Sequence, residues 1–361
     1  MFFSSRYKKG KVLVALSGGV DSAVAVFLLK KAGYAVSAGF IRGYNIDGCQ
    51  DKELDDARMI AQHLSIPFYV FDFEKEYERR VVSYLLNGYK NGITPNPDVV
   101  CNSQIKFGLF YEEAMRMGFS CVASGHYAAI KRNIWGGNVR LAAAFDTEKD
   151  QTYFLWQVPK ERFEHILFPL GNLKKSSVRA IAKRAGLFVA DKKDSQGVCF
   201  LGKFKFDDFL KQHIAPCAGS IIDGKGRVVG RHDGVWFYTI GQRHGFSNTA
   251  GREFFVVEKR VKENELVVAY AHDEKLLTNE IQLHQLNLLS KRAINAHAQQ
   301  KSLSCFVRTR YRQPLTRATI FFEKNGARLI YKTPQLSFPA VGQSAVWYDA
   351  KGEVLGGGII V

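Results

Sequence analysis

Short apolar runs alternate with stretches of helical spacing through the first 200 residues. Residues 11–16 (KVLVAL) form a compact apolar run, and Ser22 to Ala32 is helical in length and composition. Residues 35–40 (AVSAGF) read as a strand. From Asp51 to Leu64, the residues Leu54, Ala57, Ile60, Ala61 and Leu64 fall on one helical face. Residues 67–73 (PFYVFDF) predict a strand, Glu76 to Leu86 and Asn102 to Arg116 predict helices, and 120–125 (SCVASG) predicts another strand. Such alternation implies a parallel sheet covered by helices on both faces. Ser176 to Ala185 adds a helix with Ser176 as a candidate N-cap.

After a further helix at Phe206 to Ile214 the pattern changes. Short β-rich runs separated by turn residues follow at 220–223, 227–230, 232–241 (HDGVWFYTIG), 253–260 and 265–271. After a mixed stretch near 280 they resume at 303–312 (LSCFVRTRYR), 317–323, 328–332 and 343–349. The spacing predicts two small antiparallel β-domains or barrels. The expected division is 1–205 as an α/β domain, 206–280 as a small β-rich domain and 281–361 as a β-barrel.

Composition narrows the class. Hydrophobic residues at 46% and charged residues at 24% are ordinary globular values. No apolar run approaches the roughly 18–20 residues that cross a bilayer. The basic start gives way only to the short run Val12–Leu16, which leads into glycines, so a secretory signal is not expected and the reading is cytoplasmic. Lys and Arg number 51 against 34 Asp and Glu, a net +17 that favours polyanionic partners or serves solubility alone. Six cysteines at 49, 101, 121, 199, 217 and 305 form no C-x-x-C pair, which removes the usual zinc-ribbon and thioredoxin patterns.

The segment Ser17-Gly18-Gly19-Val20-Asp21-Ser22 joins the first strand to the first helix. A loop there offers backbone N–H groups at a helix N-terminus, where phosphate is favoured. Two glycines permit close approach, Ser17 and Ser22 offer hydroxyls, and Asp21 is suited to hold Mg2+ shared with a nucleotide. Neither a Walker A lysine nor G-x-G-x-x-G is present. The hexapeptide resembles the pyrophosphate-binding loop of the ATP pyrophosphatases, which split ATP to AMP and adenylate a carbonyl oxygen.

Four later segments sharpen the resemblance: 94–102 (TPNPDVVCN), 124–127 (SGHY), 149–155 (KDQTYFL) and 194–200 (DSQGVCF). With the loop and 308–313 (RTRYRQ), they make the chain similar, from end to end, to the tRNA-specific 2-thiouridylase family. The resemblance implies an adenine nucleotide alpha hydrolase-like domain followed by two mainly-β domains. It implies ATP-dependent 2-thiolation of the wobble uridine in tRNAs of the Lys, Glu and Gln type, with release of AMP and pyrophosphate. A cysteine desulfurase or relay protein would deliver sulfur.

Residue by residue, the resemblance places ATP on Ala15, Leu16, Ser17, Gly18, Gly19, Val20, Asp21, Ser22, Ile41 and Gly125. It places the persulfide on Cys199 and its thiol partner at Cys101, with a 101–199 disulfide left after transfer. Sulfur would reach C2 of the base either as hydrosulfide or by direct persulfide attack. Asn96, Pro97 and Asp98 would line the pocket of an everted uridine. His126, Lys149, Asp150, Gln151, Arg310, Tyr311 and Gln343 match tRNA-contacting positions. The stretch Ile41-Arg42-Gly43-Tyr44 departs from the family's Met-Lys-Asn-Trp-like pattern, which leaves a backbone contact at Ile41 but puts side-chain roles in doubt.

The residues themselves add two readings. Asp98 lies three positions before Cys101, so on a helical turn both project to one side, and the carboxylate serves as a proton shuttle, a helix cap or both. Arg308, Arg310 and Arg312 alternate with Val307, Thr309 and Tyr311, and on a strand they would share one face suited to phosphates. An ammonia-using ligase with the same loop, or an RNA-binding module without catalysis, would need neither Cys101 nor Cys199.

Overall fold

A computed structural model describes residues 10–45, 48, 50–132, 139–193, 206–243, 247–248, 254–270, 273, 277–336 and 339–361. The chain divides into two compact units: 1–82, 98–203 and 351–354 in the first, and 83–97, 204–350 and 355–361 in the second.

The first unit begins with β1 (Lys11–Ala15), α1 (Val20–Lys31), β2 (Ala35–Arg42), α2 (Asp51–His63) and β3 (Phe68–Asp72). Next come α3 (Glu74–Tyr77) and a π-helical turn; α4 (Ser83–Lys90) then belongs to the second unit. α5 (Pro97–Val100) and α6 (Phe110–Arg116) are joined by π-helical backbone over Cys101–Leu109. β4 (Cys121–Ser124), a hairpin of β5 (Ala129–Arg132) and β6 (Val139–Ala142), β7 (Ile166–Leu167) and α7 (Lys175–Arg184) complete the unit.

The main sheet is parallel throughout, in the order β3-β2-β1-β4-β7. β1 is central and buried after its first residue, which is why it reads as an unbroken apolar run. α1 is apolar almost all round, with Ala23, Val24, Ala25, Val26 and Leu29 inaccessible, while Asp21 in its first turn and Lys30 and Lys31 in its last complement the helix dipole. α2 instead buries one stripe, Leu54, Ala57, Ile60 and Ala61, against the same core.

Ser176 is not the N-cap of α7. Lys174 occupies that position without a side-chain cap, and the N–H of Lys175 donates to the Asp146 carboxylate at 2.8 Å. A carboxylate from a distant turn thus satisfies the first-turn N–H of Lys175, and Ser176 lies inside the helix.

The second unit contains α4, α8 (Phe206–His213) and a five-stranded sheet of β8 (Gly219–Asp223), β9 (Val228–His232), β10 (Ser247–Asn248), β11 (Phe254–Arg260) and β12 (Glu265–Tyr270). Its order is β10-β9-β8-β12-β11, and β8 pairs with β12 in parallel, so this sheet is mixed rather than antiparallel. The run at 232–241 is not a strand: Gly234 has φ +143° and its N–H donates to His232 Nδ1, and a 3-10 turn follows at Val235–Phe237. That turn sends Val235 and Tyr238 into the core with Ile221, Phe254 and Leu266.

β13 (Leu277–Leu288), β14 (Ser302–Arg308), β15 (Thr316–Glu323), β16 (Gly326–Leu336), β17 (Ser344–Tyr348) and β18 (Val354–Ile360) close a barrel in the order β13-β16-β15-β14-β17-β18. Alternation along β15 sends Ala318, Ile320 and Phe322 inward, and the inaccessible Trp347 fills the interior. α9 (Lys291–Ala298) starts at Ser290, whose Oγ accepts from the Ala293 N–H at 3.1 Å.

Candidate functional site

In a parallel sheet, ligands bind beyond the carboxyl ends of strands where the order reverses. Here that point lies between β1 and β4, whose following loops are 16–19 and 125–127. The two loops touch. A Cβ on Gly125 would stand 2.7 Å from the Ser22 nitrogen, so only glycine lets the backbones meet. Gly18 adopts φ +71°, and a Cβ there would lie 2.5 Å from the Glu53 carbonyl. Ser22 Oγ donates to the Gly19 carbonyl at 3.1 Å and accepts from the Ser17 N–H at 3.2 Å, which folds the hexapeptide back on itself. Ala15 and Leu16 are buried beneath it, as are Gly18, Val20 and Ser22, whereas Ser17, Gly19 and Asp21 reach solvent. Ile41 lies near the end of β2, partly buried.

Asp21 is held by residues that no local pattern announces. Lys175 Nζ donates to both carboxylate oxygens at 2.7 and 2.8 Å, and Tyr127 Oη donates to Oδ1 at 2.9 Å. The Lys175 side chain is only 12% exposed and Asp21 31%. A second ammonium, Lys192, donates to Asp56 at 2.6 Å and to the Gly18 carbonyl at 3.1 Å. Two cations therefore flank the loop where a polyphosphate would need charge compensation, each already matched by a carboxylate. Mg2+ usually takes one or two protein carboxylates and completes its shell with waters and phosphate oxygens, and the partly exposed Asp21 carboxylate is of the type it takes. Among the described residues no group of three His, Cys, Asp or Glu could hold a metal without that help.

Cys101, 8% exposed, starts the π-helical stretch one turn after Pro97. Proline at a first helical position costs no hydrogen bond, and wide π turns are rare and frequent at functional sites. Asp98 lies in this first helical turn, three residues before Cys101. Asn102 Nδ2 donates to the Asp98 carbonyl at 3.0 Å, and Ser103 Oγ donates to Gln157 Oε1 at 3.1 Å. Cys199 lies outside the described residues, along with the rest of 194–200.

The Cys101 helix connects to the nucleotide loop through His126. The His126 ring lies against Phe107 and Phe168, with centroids 5.8 and 6.0 Å away, and Nδ1 is 2.8 Å from Ser124 Oγ. Burial first, then the nearby Lys106 ammonium, pushes its pKa well below the usual imidazole range, so the ring is neutral at pH 7.

The 149–151 segment braces this construction. Asp150, 2% exposed, accepts from the Ala144 N–H and the Thr152 hydroxyl. Gln151 exchanges two hydrogen bonds with the Tyr127 backbone, at 2.8 and 3.0 Å, and Tyr127 in turn holds Asp21. Lys149 is partly exposed beside them.

In the second unit the arginine run differs from expectation. β14 ends at Arg308, which is 9% exposed with its guanidinium 5.2 Å from the Tyr348 ring centre. Gln313 Oε1 then accepts from the Thr309 and Arg310 N–H groups, turning the chain. Arg310 donates to the Ile240 carbonyl, and Arg312, at φ +63°, lies over the Tyr311 ring. The three guanidinium groups do not share a strand face. Asn96 is buried in this unit, which also contains Gln343.

The comparisons with known proteins cover almost the whole chain. Residues 10–203 match the tRNA methyl transferase HUP domain, 207–270 the tRNA methyl transferase PRC-barrel domain and 278–360 the aminomethyltransferase beta-barrel domain. The chain is 41% identical over 359 residues to a tRNA-specific 2-thiouridylase of Listeria monocytogenes, covering 97% of this chain and 94% of that protein. It is 40% identical over 366 residues to the corresponding protein of Streptococcus uberis, with 98% and 95% covered.

Proposed function

The chain belongs to the tRNA-specific 2-thiouridylase family, and on that premise we propose that it thiolates a uridine of tRNA at the expense of ATP. The observation that carries the reading is the junction of the 17–22 loop with Gly125 and Tyr127 at the sheet's switch point. ATP would lie on Ala15 to Ser22, Ile41 and Gly125, with its phosphates against Ser17, Gly19 and the Lys175 and Lys192 ammoniums. Mg2+, when bound with the nucleotide, supplies charge neutralisation for departing pyrophosphate.

The uridine O2 attacks the α-phosphorus and pyrophosphate leaves, which makes O2 part of an AMP leaving group. Asn96, Pro97 and Asp98 would hold the everted base. Cys199 would carry the persulfide. Attack by the Cys101 thiolate on its inner sulfur would release hydrosulfide, which adds at C2 as AMP departs; the electron pairs balance as one disulfide between 101 and 199. Direct attack by the outer persulfide sulfur on C2, followed by Cys101, gives the same products. Cys101 lies one turn from a helix start, and Asp98 would take the proton of its thiol.

Lys149, Arg310 and Tyr311 are proposed tRNA contacts at the surface. The burial of His126 and Asp150, and the hydrogen bonds of Gln151 to the Tyr127 backbone, support a bracing role behind that surface. The wobble uridine of Lys, Glu and Gln tRNAs, a cysteine desulfurase or relay donor and a cytoplasmic setting complete the proposal. Among the described residues no helix is long and apolar enough to cross a membrane.

The test is nucleoside mass spectrometry of tRNA incubated with protein, ATP and a persulfide donor. Wild type is expected to form 2-thiouridine. Cys101→Ser and Cys199→Ser are each expected to eliminate it, with the protein-bound persulfide retained only in Cys101→Ser. Full activity of either variant would overturn the two-thiol mechanism.

A further inference from the structure

The stretch before the Asp98–Cys101 turn cannot organise itself. Pro95 and Pro97 lack N–H groups, so between them only Asn96 can donate, and the carbonyls of Thr94 and Pro95 need donors from elsewhere. They find them within the second unit, on the barrel turn 340–343. Gln343 Nε2 donates to the Thr94 carbonyl at 2.8 Å and to the Pro95 carbonyl at 3.3 Å. The Thr94 N–H donates to the Val341 carbonyl at 2.9 Å. Between these bonds Gly342, at φ +90°, lies flush against the stretch: a Cβ there would stand 2.3 Å from Ile93 Cγ2. The turn is itself fixed to β18, because Gly342 N–H donates to the Ile360 carbonyl and Ile360 N–H to the Gln343 carbonyl, both at 2.9 Å. On the opposite side, Thr94 Oγ1 reaches Thr239 Oγ1 at 3.4 Å, and Gly88 packs on the Pro95 ring. Thr94 and Asn96 are 7% and 8% exposed.

These neighbours fix the orientation of the Gln343 amide. Two carbonyl oxygens demand its NH2 end, which leaves Oε1, an acceptor, for anything else. An RNA hydroxyl or base N–H can donate to that oxygen, whereas a phosphate oxygen carries no proton to give it.

We propose that Gln343 is a positioning residue: through its two N–H donors the barrel sets the path of residues 94–97, and with it the base pocket and the start of the helix bearing Asp98 and Cys101. This deepens the thiolation reading and rests on it for the reaction, while the geometry it asserts can be tested without turnover.

The experiment compares full-length wild type with Gln343→Met, which keeps length but has no donor, and Gln343→Lys, whose ammonium restores donors without an amide acceptor. Three quantities are read: the Kd for tRNA, the single-turnover thiolation rate at saturating tRNA, and the rate of Cys101 alkylation by iodoacetamide, followed by peptide mass spectrometry without tRNA or ATP. Gln343→Met is expected to slow the saturated rate by about tenfold, as loss of about one net hydrogen bond's worth of positioning would do, and to leave Kd within about twofold. Cys101 alkylation should rise severalfold as the helix start loosens, and Gln343→Lys should restore both rates to within about threefold. The proposal is overturned if Gln343→Met weakens tRNA binding but reacts normally once saturated, or if Cys101 alkylates equally in all three proteins. If Gln343→Met does not fold, Gln343→Asn, which withdraws the donors by one carbon, is read in its place. Wild type that forms no 2-thiouridine would sink the functional reading alone, with the alkylation series still deciding the role of Gln343.

Discussion

The nucleotide loop of the first unit and the arginine segment of the second both offer positive charge to phosphate, but they are built in opposite ways. At the loop, each cation meets a carboxylate: Lys175 with Asp21, Lys192 with Asp56. In the barrel, Arg308 and Arg312 lie on aromatic rings and Arg310 on a carbonyl. Over 281–361 there are eleven Lys and Arg against three Asp and Glu, whereas 206–280 holds ten against eleven. A pre-balanced cluster costs little to keep folded and discriminates at short range. An unbalanced surface acts over a Debye length and yields to salt. The first arrangement suits a small ligand held for chemistry, the second a large polyanion that must be found and released.

The largest effect should come from unbalancing the loop. Asp21→Ala and Lys175→Met are each expected to reduce tRNA-dependent AMP formation by about 10²–10³-fold, with the fold intact by circular dichroism and the same deficit at low and high salt. A deficit that vanishes at low salt would place the loop with the barrel. Next in size, Arg310→Gln with Arg312→Gln should make the slope of log K against log salt for tRNA shallower by about 1.5–2. Arg308→Gln, buried on Tyr348, should lower thermal stability and leave that slope alone. As a control in the charge-balanced 206–280 region, Lys225→Gln in the β8–β9 turn with Arg231→Gln on β9 should move the slope by less than about 0.5.

The sequence made the loop legible because its six residues are contiguous and sit between a strand and a helix. It could not show Lys175, Tyr127 or Lys192, which reach Asp21 and Asp56 from 154, 106 and 136 positions away. Contacts at such separation leave no periodicity behind. Alternation extended the predicted strand through Arg312, but it ends at Arg308 because Gln313 collects the N–H groups that a ladder would use. Pro314, directly after, was the signal against further pairing. The parallel sheet and the helical turn at 97–100 were readable, since both follow from local periods. The mixed pairing of β8 with β12 was not, since register across 40-odd residues is fixed by packing.

The smallest effect concerns His126, which links the Cys101 helix to the loop. Its folded-state pKa lies below its unfolded value near 6.5, so the unfolded chain binds the extra proton first. Stability is therefore fully present above about pH 6.5 and falls below it, by at most about 1.4 kcal/mol per pH unit. Denaturant titrations at pH 7.5, 6.5 and 5.5 should show this slope in wild type and a shallower one in His126→Asn. Equal slopes would mean that the ring is already solvated in the native state.

The hold of the barrel turn on residues 94 and 95 has a consequence for biosynthesis. Gln343 is made 249 residues after Thr94. At roughly 5–20 residues per second, a ribosome needs about 12–50 s to supply it. During that interval the nascent polypeptide already contains the whole 17–22 hexapeptide, yet the Thr94 and Pro95 carbonyls lack the Gln343 donors. A chain released early by a frameshift or stop codon before residue 341 would carry the loop without the anchored path to Cys101, so truncated translation products would be poor at modifying RNA.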